Sequence, residues 1–177
     1  MDYFILTCGE HTRPLHSAEL GKFSLEKLLS KQQTQKFDDI TIIITPSKPG
    51  ERYGDIITSP VYLVSDEMKV LFAKYDKTLV FKAVRLVDED SKKQTLYWIM
   101  GVEELHCLSE QTVLNPPRMR HLVLDQDKIN KTPIFKLGGI LENYLIVRLD
   151  VAESLLRRNF YGIELRKMSV AKAKEII

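Results

Sequence analysis

The apolar positions of this chain change period several times, and each change marks an element. Residues 2–7, Asp-Tyr-Phe-Ile-Leu-Thr, suit a strand, and a polar stretch holding His11, Pro14 and His16 follows. Leu25, Leu28 and Leu29 fall at i, i+3 and i+4 behind Ser24, which predicts a short capped helix. The run Ile40-Thr41-Ile42-Ile43-Ile44 is β-branched throughout and reads as a buried strand, closed by Pro46, Pro49 and Gly50. The stretch 46–60 is the longest loop-like segment of the first half and carries Lys48, Arg52 and Tyr53.

Beyond it, Val61-Tyr62-Leu63-Val64 reads as a short strand. Ser65 is placed to cap a helix, with Asp66 and Glu67 on the first turn, where the macrodipole favours negative charge. Met68, Leu71, Phe72 and Tyr75 then form an apolar stripe at helical period. Residues 79–87 return as a strand, 88–93 form a charged turn and 94–100 a further strand, so 79–100 is expected to be a long hairpin. Asn115-Pro116-Pro117 cannot sit in regular helix or central strand, so 108–121 is expected to be loop. Residues 121–124 and 133–137 suit short strands, and Gly138-Gly139 ends the second.

The earlier pattern then recurs. Asn143 to Val147 suits a strand, and 149–158 a helix with Ala152, Leu155 and Leu156 inward and Arg157 and Arg158 on its last turn. Gly162 suits the exit, and Ile163-Glu164-Leu165 a third strand; the tail from Ser169 has the pattern of a final helix. The expected fold is α+β: a mixed, mostly antiparallel sheet with two or three packed helices, in one domain over 1–177. The two strand–helix–strand blocks are either a duplicated β-α-β unit or a chance recurrence of a common motif.

Composition changes little in this picture. The chain has 177 residues, 44% apolar and 28% charged, which is ordinary for one globular domain. No apolar run nears the roughly 18 residues that cross a bilayer, and the first residues lack the basic region of a signal peptide. Two unpatterned cysteines, Cys8 and Cys107, suit a reducing compartment, so a cytoplasmic location is expected. A net charge of +2 argues against nucleic acid or membrane as partner. The charge is uneven, however: residues 1–115 carry 14 Lys/Arg against 17 Asp/Glu, and 116–177 carry 12 against 7.

Candidate chemistry is thin. His11 and His16, with Glu10 and Cys8 nearby, lie five residues apart, the wrong spacing for one helix face and short of a metal-ligand pattern. Adjacent His106 and Cys107 would point to opposite faces of a strand and could not cooperate. No phosphate loop, dinucleotide fingerprint or nucleophile elbow occurs. No cofactor and no metal are therefore expected. Tyr97 and Trp98 must face opposite ways on a strand; burial under the helices is the commoner fate of a Trp, whereas exposure would make Trp98 a partner anchor.

Several strings together resemble one family. Ser59-Pro60-Val61-Tyr62-Leu63-Val64-Ser65-Asp66-Glu67-Met68, then Val80-Phe81-Lys82-Ala83-Val84, the aromatic strand Leu96-Tyr97-Trp98-Ile99, Ile134-Phe135-Lys136, and Leu145-Ile146-Val147 through Phe160-Tyr161-Gly162-Ile163-Glu164-Leu165 follow its order and spacing. The family is that of bacterial immunity proteins encoded beside polymorphic toxins, formerly described only as a domain of unknown function. The resemblance covers about 59–167 and leaves 1–58 as a separate N-terminal part. The chain departs from the pattern at Leu108-Ser109-Glu110-Gln111 and at Arg148-Leu149-Asp150. The resemblance implies a non-catalytic protein that occludes a cognate toxin, with no catalytic residues to carry over. Trp98, the acidic turn Asp88, Glu89 and Asp90, and the basic pair Arg157 and Arg158 are the candidate partner contacts. The competing expectations are an enzyme with a scattered His/Glu site at His11, His16 and Glu10, a nucleic-acid binder using the C-terminal basic residues, and a structural or phage-related role.

Overall fold

A computed structural model of the chain describes residues 1–20, 31–36, 40–115 and 118–171. The helix expected at Leu25–Leu29 and the Pro116-Pro117 pair lie outside the described residues. The chain begins with strand β1 (Tyr3–Cys8) and reaches β2 (Ile40–Thr45) after a 3₁₀ turn at Ser17–Leu20 and a single helical turn at Lys31–Thr34.

The first strand–helix–strand block forms as its pattern predicts. It comprises β3 (Ile56–Ile57), β4 (Leu63–Val64), helix α1 (Asp66–Tyr75), β5 (Val80–Asp88) and β6 (Gln94–Gly101). The Ser65 hydroxyl accepts from the Met68 N–H at 3.4 Å, closing the helix start, and Met68, Leu71 and Phe72 are the buried stripe. β5 and β6 pair as a hairpin from Val80↔Gly101 to Val87↔Gln94. The sheet order is β2-β5-β6-β4-β3. Both β4 and β5 run antiparallel to β6, so they are parallel to each other with β6 between them: a split β-α-β unit.

After β7 (Glu104–Leu105), the ribbon β8 (Val113–Asn115) with β9 (Arg118–His121), and β10 (Val123–Asp125), the second block repeats this geometry. It comprises β11 (Ile134–Leu137), β12 (Leu145–Arg148), helix α2 (Leu149–Leu156) and β13 (Ile163–Lys167), in the sheet order β13-β1-β12-β11-β7. β12 and β13 are each antiparallel to β1, which lies between them. The N-terminal strand thus takes the place in the second unit that β6 takes in the first. A parallel pairing of β10 with β14 (Ser169–Ala171) is the last pairing among the described residues.

The two helices join the sheets. One buried cluster holds Leu6 and Val147 of one sheet, Val64 and Met100 of the other, and Met68, Leu71, Phe72, Val151 and Leu155 of the helices. The Tyr75 hydroxyl bonds to Asp150 O at 3.2 Å and to Ser154 Oγ, tying α1 to α2. Each sheet also has a covered outer face. Ile43, Val84, Leu86 and Ile99 pack with Leu15 and Leu20, and Tyr3, Ile5, Phe135 and Ile146 pack with Leu124 and Ile129. A backbone seam joins the units: Gly9 N–H bonds to Gly162 O and Asp55 N–H to Tyr161 O, both at 2.9 Å. Gly162 stands at φ +67°, and a Cβ there would lie 2.0 Å from Thr12 Cγ2.

Several expectations need correction. The α+β class holds, but each unit builds its own five-stranded sheet rather than sharing one. β2 is a strand, yet not a buried one, because it sits at a sheet edge covered on a single face. The stretch 46–60 includes β3, and 108–121 carries β8 and β9; two- to four-residue strands are too short to show a period. Leu156 is exposed, since the inward stripe of α2 is Val151, Ala152 and Leu155. Ser169–Ala171 is a strand, not the start of a helix, because it pairs with β10; 172–177 lie outside the described residues.

Candidate functional site

The helix-facing side of the first sheet is only half covered. Cross-strand register sets out its rows: Ile40–Ala83–Trp98, then Ile42–Arg85–Leu96, then Ile44–Val87–Gln94. Helix α1 lies over β6 and stops at the Trp98 row. The Trp98 indole N–H donates to Asp66 Oδ1 at 2.9 Å, and the Lys69 ammonium sits 3.1 Å from the ring centroid. Beyond that clamp the rows are open. Ile40, Ile42 and Ile44 are 57%, 62% and 61% exposed, against 2% for Ile43 on the opposite face of the same strand.

This stripe differs from scattered surface leucines, which need no explanation. It runs along six uncharged residues of an edge strand, and among the described residues no strand pairs with its outer side. Edge strands are ordinarily blunted by charge, proline or a covering element. Here the single charge among the open rows is Arg85, whose Nη1 reaches only Gln94 Oε1 at 3.5 Å.

The residues singled out in the sequence fall into two groups. Trp98 and the turn Asp88–Asp90 belong to this sheet, the first at the covered edge of the stripe and the second at the end of β5. Tyr97 is the buried member of its pair, donating to Gly54 O at 2.8 Å; Trp98 is half-buried on the helix-facing side, packed against the cluster between the sheets, and is the more exposed of the two. Asp88 is engaged internally. Hydrogen bonds from the Ser47 hydroxyl, then the Ser91 N–H and hydroxyl, hold its carboxyl down at about 2. Glu89 and Asp90 are the exposed acids of the turn. Arg157 and Arg158 sit at the end of α2 in the other unit. Arg157 pairs with Glu153 at 3.3 Å and Arg158 bonds to Ser154 O at 2.7 Å; neither contacts the acidic turn.

The residues weighed for catalysis are not assembled. His11, His16 and Glu10 are exposed, the first two without a shared partner, and the Glu10 N–H bonds to the Glu164 carboxylate at 3.3 Å. His106 is exposed beside Glu104 at 3.3 Å, while Cys107 is fully buried and its thiol is pushed up to about 11 by that burial. Among the described residues, no three His, Cys, Asp or Glu gather at metal-binding distance. No described helix is long and apolar enough to cross a membrane.

Sequence reasoning found Trp98 and missed the isoleucines beside it. An unbroken β-branched run carries no alternation, so it does not tell a strand covered on both faces from one covered on one. Compared with protein-family models and with curated proteins, the chain has no match.

Proposed function

We propose that this chain is a non-catalytic, cytoplasmic immunity-type protein that neutralises a cognate bacterial toxin by covering it. The observation that carries this reading is the stripe Ile40, Ile42 and Ile44 on an uncharged edge strand, bordered by Arg85, Leu96 and the clamped Trp98. An apolar centre with an Arg and an aromatic beside it, and charge at its margin in Glu89 and Asp90, is the anatomy of a protein-binding patch. The resemblance of 59–167 to immunity proteins supplies the class of partner.

The test uses the tagged chain as bait in lysate of its own organism, with bound proteins identified by mass spectrometry. The expected result is a stoichiometric partner that is toxic when expressed alone and harmless when co-expressed with this chain. Ile42→Lys, at a side chain 62% exposed, is expected to leave the melting temperature near that of the parent. It is expected to weaken the partner by about 30-fold or more, the effect of losing a hot spot. Recovery of nucleic acid alone, or a partner that stays active in the complex, would overturn the reading.

A further inference from the structure

The opposite face of the same sheet ends in a cleft of about 370 Å³, within the size range of small-ligand sites. It is lined by Arg13 from the first loop, Arg52 and Tyr53 from the loop before β3, Thr45 and Lys93 at the strand ends, and Tyr97. Arg13 is 7% exposed, and its guanidinium lies 4.6 Å from the Tyr53 ring centroid. One end of that guanidinium is occupied: Nη2 donates to Pro46 O and stands 4.0 Å from the Glu19 carboxylate. Among the described residues the Nε–H is buried without a hydrogen-bond partner; the Tyr53 hydroxyl is buried too, which raises its titration, and it lies within reach of the Thr45 and Arg13 side chains. A buried guanidinium N–H without a partner beside a cleft is unusual, because leaving a buried donor unsatisfied is costly.

The charges around the cleft are unequally matched. Glu19 faces Arg13 and Glu51 faces Lys48 at 3.8 Å. Asp55 accepts from the Tyr161 N–H at 2.6 Å, and Asp88 from Ser47 and Ser91. Arg52 has only the Tyr161 ring, 4.4 Å from its guanidinium carbon, and Lys93 has no side-chain partner among the described residues. Asp55 and Asp88 keep their charge but are held by neutral donors, while Arg52 and Lys93 have no carboxylate partner among the described residues. Arg52 and Lys93 are exposed and hydrated, so water could meet each of these groups singly, whereas an oxyanion would meet the donors and both cations at once.

We propose that this cleft binds a compact oxyanion of the phosphate type, taking hydrogen bonds from Arg13 Nε–H and the Tyr53 hydroxyl and facing the charges of Arg52 and Lys93. The proposed ligands Arg13, Arg52, Tyr53 and Lys93 are distinct from the isoleucine stripe, although Leu96 borders both, and the proposal does not depend on the toxin reading. Free phosphate and the phosphate group of a small ester present the same chemistry.

Titration with inorganic phosphate and, separately, with glycerol 3-phosphate, at ionic strength held constant with sodium chloride, tests it by calorimetry and by amide chemical shifts of the labelled protein. Saturable binding at about 1 mM or tighter is expected for one of the two, and the tighter one identifies the source. The shifts are expected to centre on Arg13, Arg52, Tyr53 and Lys93. Tyr53→Phe keeps the ring under Arg13 and removes one donor, and Lys93→Gln removes one charge; each is expected to weaken binding by about 5- to 10-fold. Absence of saturation by about 20 mM, shifts centred elsewhere, or unchanged affinity in both variants would each overturn the proposal. Should either variant fail to fold, the shift map of the unaltered protein decides.

Discussion

Tyr62 offers a sharp test of the packing, because removing an atom from it should strengthen the protein. The side chain is 1% exposed, inside the cluster that joins the two units, and its hydroxyl has no hydrogen-bond partner among the described residues. A buried hydroxyl without a partner loses its water and gains nothing in return, at a cost of about 1–3 kcal/mol. Tyr62→Phe removes that cost and leaves a void of roughly one oxygen, on the order of 15 Å³, or about 0.4 kcal/mol at the usual cavity slope. The balance is a stabilisation of about 1 kcal/mol, or roughly 2–4 °C in melting temperature for a domain of this size. Urea unfolding of both proteins at neutral pH should show the midpoint rising with an unchanged slope.

The pH dependence gives the same prediction a second arm. Burial, and then the nearby Glu104 carboxylate, push the Tyr62 phenol far above its usual value. Below about pH 10 the phenol is neutral in both folded and unfolded chains and contributes no slope. Above that, the unfolded chain loses the proton first, so stability falls as pH rises. The advantage of Tyr62→Phe should therefore widen as pH rises through and above about 10. Tyr97 is raised by burial too, but it is common to both proteins and cancels in the difference. A variant less stable than the parent by about 1 kcal/mol would show that the hydroxyl has a partner, and the packing described here at Tyr62 would be wrong.

Two further perturbations test the seam and the acidic turn. Gly162→Ala sets a methyl 2.0 Å from Thr12 Cγ2 at φ +67°, so it is expected to lower stability by at least about 2 kcal/mol, read as an earlier urea midpoint; a neutral effect would mean that the units do not meet there. The Asp88 carboxyl, held at about 2 mainly by Ser47 and Ser91, lends stability that is present above the ordinary carboxylate value and lost as pH falls from about 4 toward 2. Asp88→Asn should flatten that part of the acid-unfolding curve, and a carboxyl titrating near 4 by NMR would refute the turn geometry.

Local chemistry made parts of this fold readable. Ser65 with Asp66 and Glu67, followed by Met68, Leu71 and Phe72, specifies α1 through capping, dipole and period at once, and the helix forms at those residues. The hairpin was legible because two long strands flank a charged turn. The isoleucine stripe and the cleft were not legible, for different reasons. The stripe depends on β2 being at an edge, which is a property of the whole sheet. The cleft depends on Arg13 meeting Tyr53 across forty residues of chain, although Arg52 and Tyr53 already stood out in their loop.

The recurrence of the strand–helix–strand pattern in sequence understates what recurs in space. Each unit has a leading strand antiparallel to the next, a first strand, a helix and a second strand, with a further antiparallel strand inserted between the parallel pair: β3, β4, α1, β5 and β6 in one, β11, β12, α2, β13 and β1 in the other. In the first unit the inserted strand follows directly along the chain, so a sequence window sees the whole motif. In the second it comes from the opposite end, and Tyr3, Ile5 and Leu6 bury their side chains on both faces of that sheet. The segment 59–167 is therefore not a complete set of strands by itself. It lacks β1, which the second sheet needs between β12 and β13, β2, which carries the isoleucines, and the short strands β3 and β14. The part of the chain before residue 59 thus supplies both the strand that closes the second sheet and the surface on which the proposed binding rests.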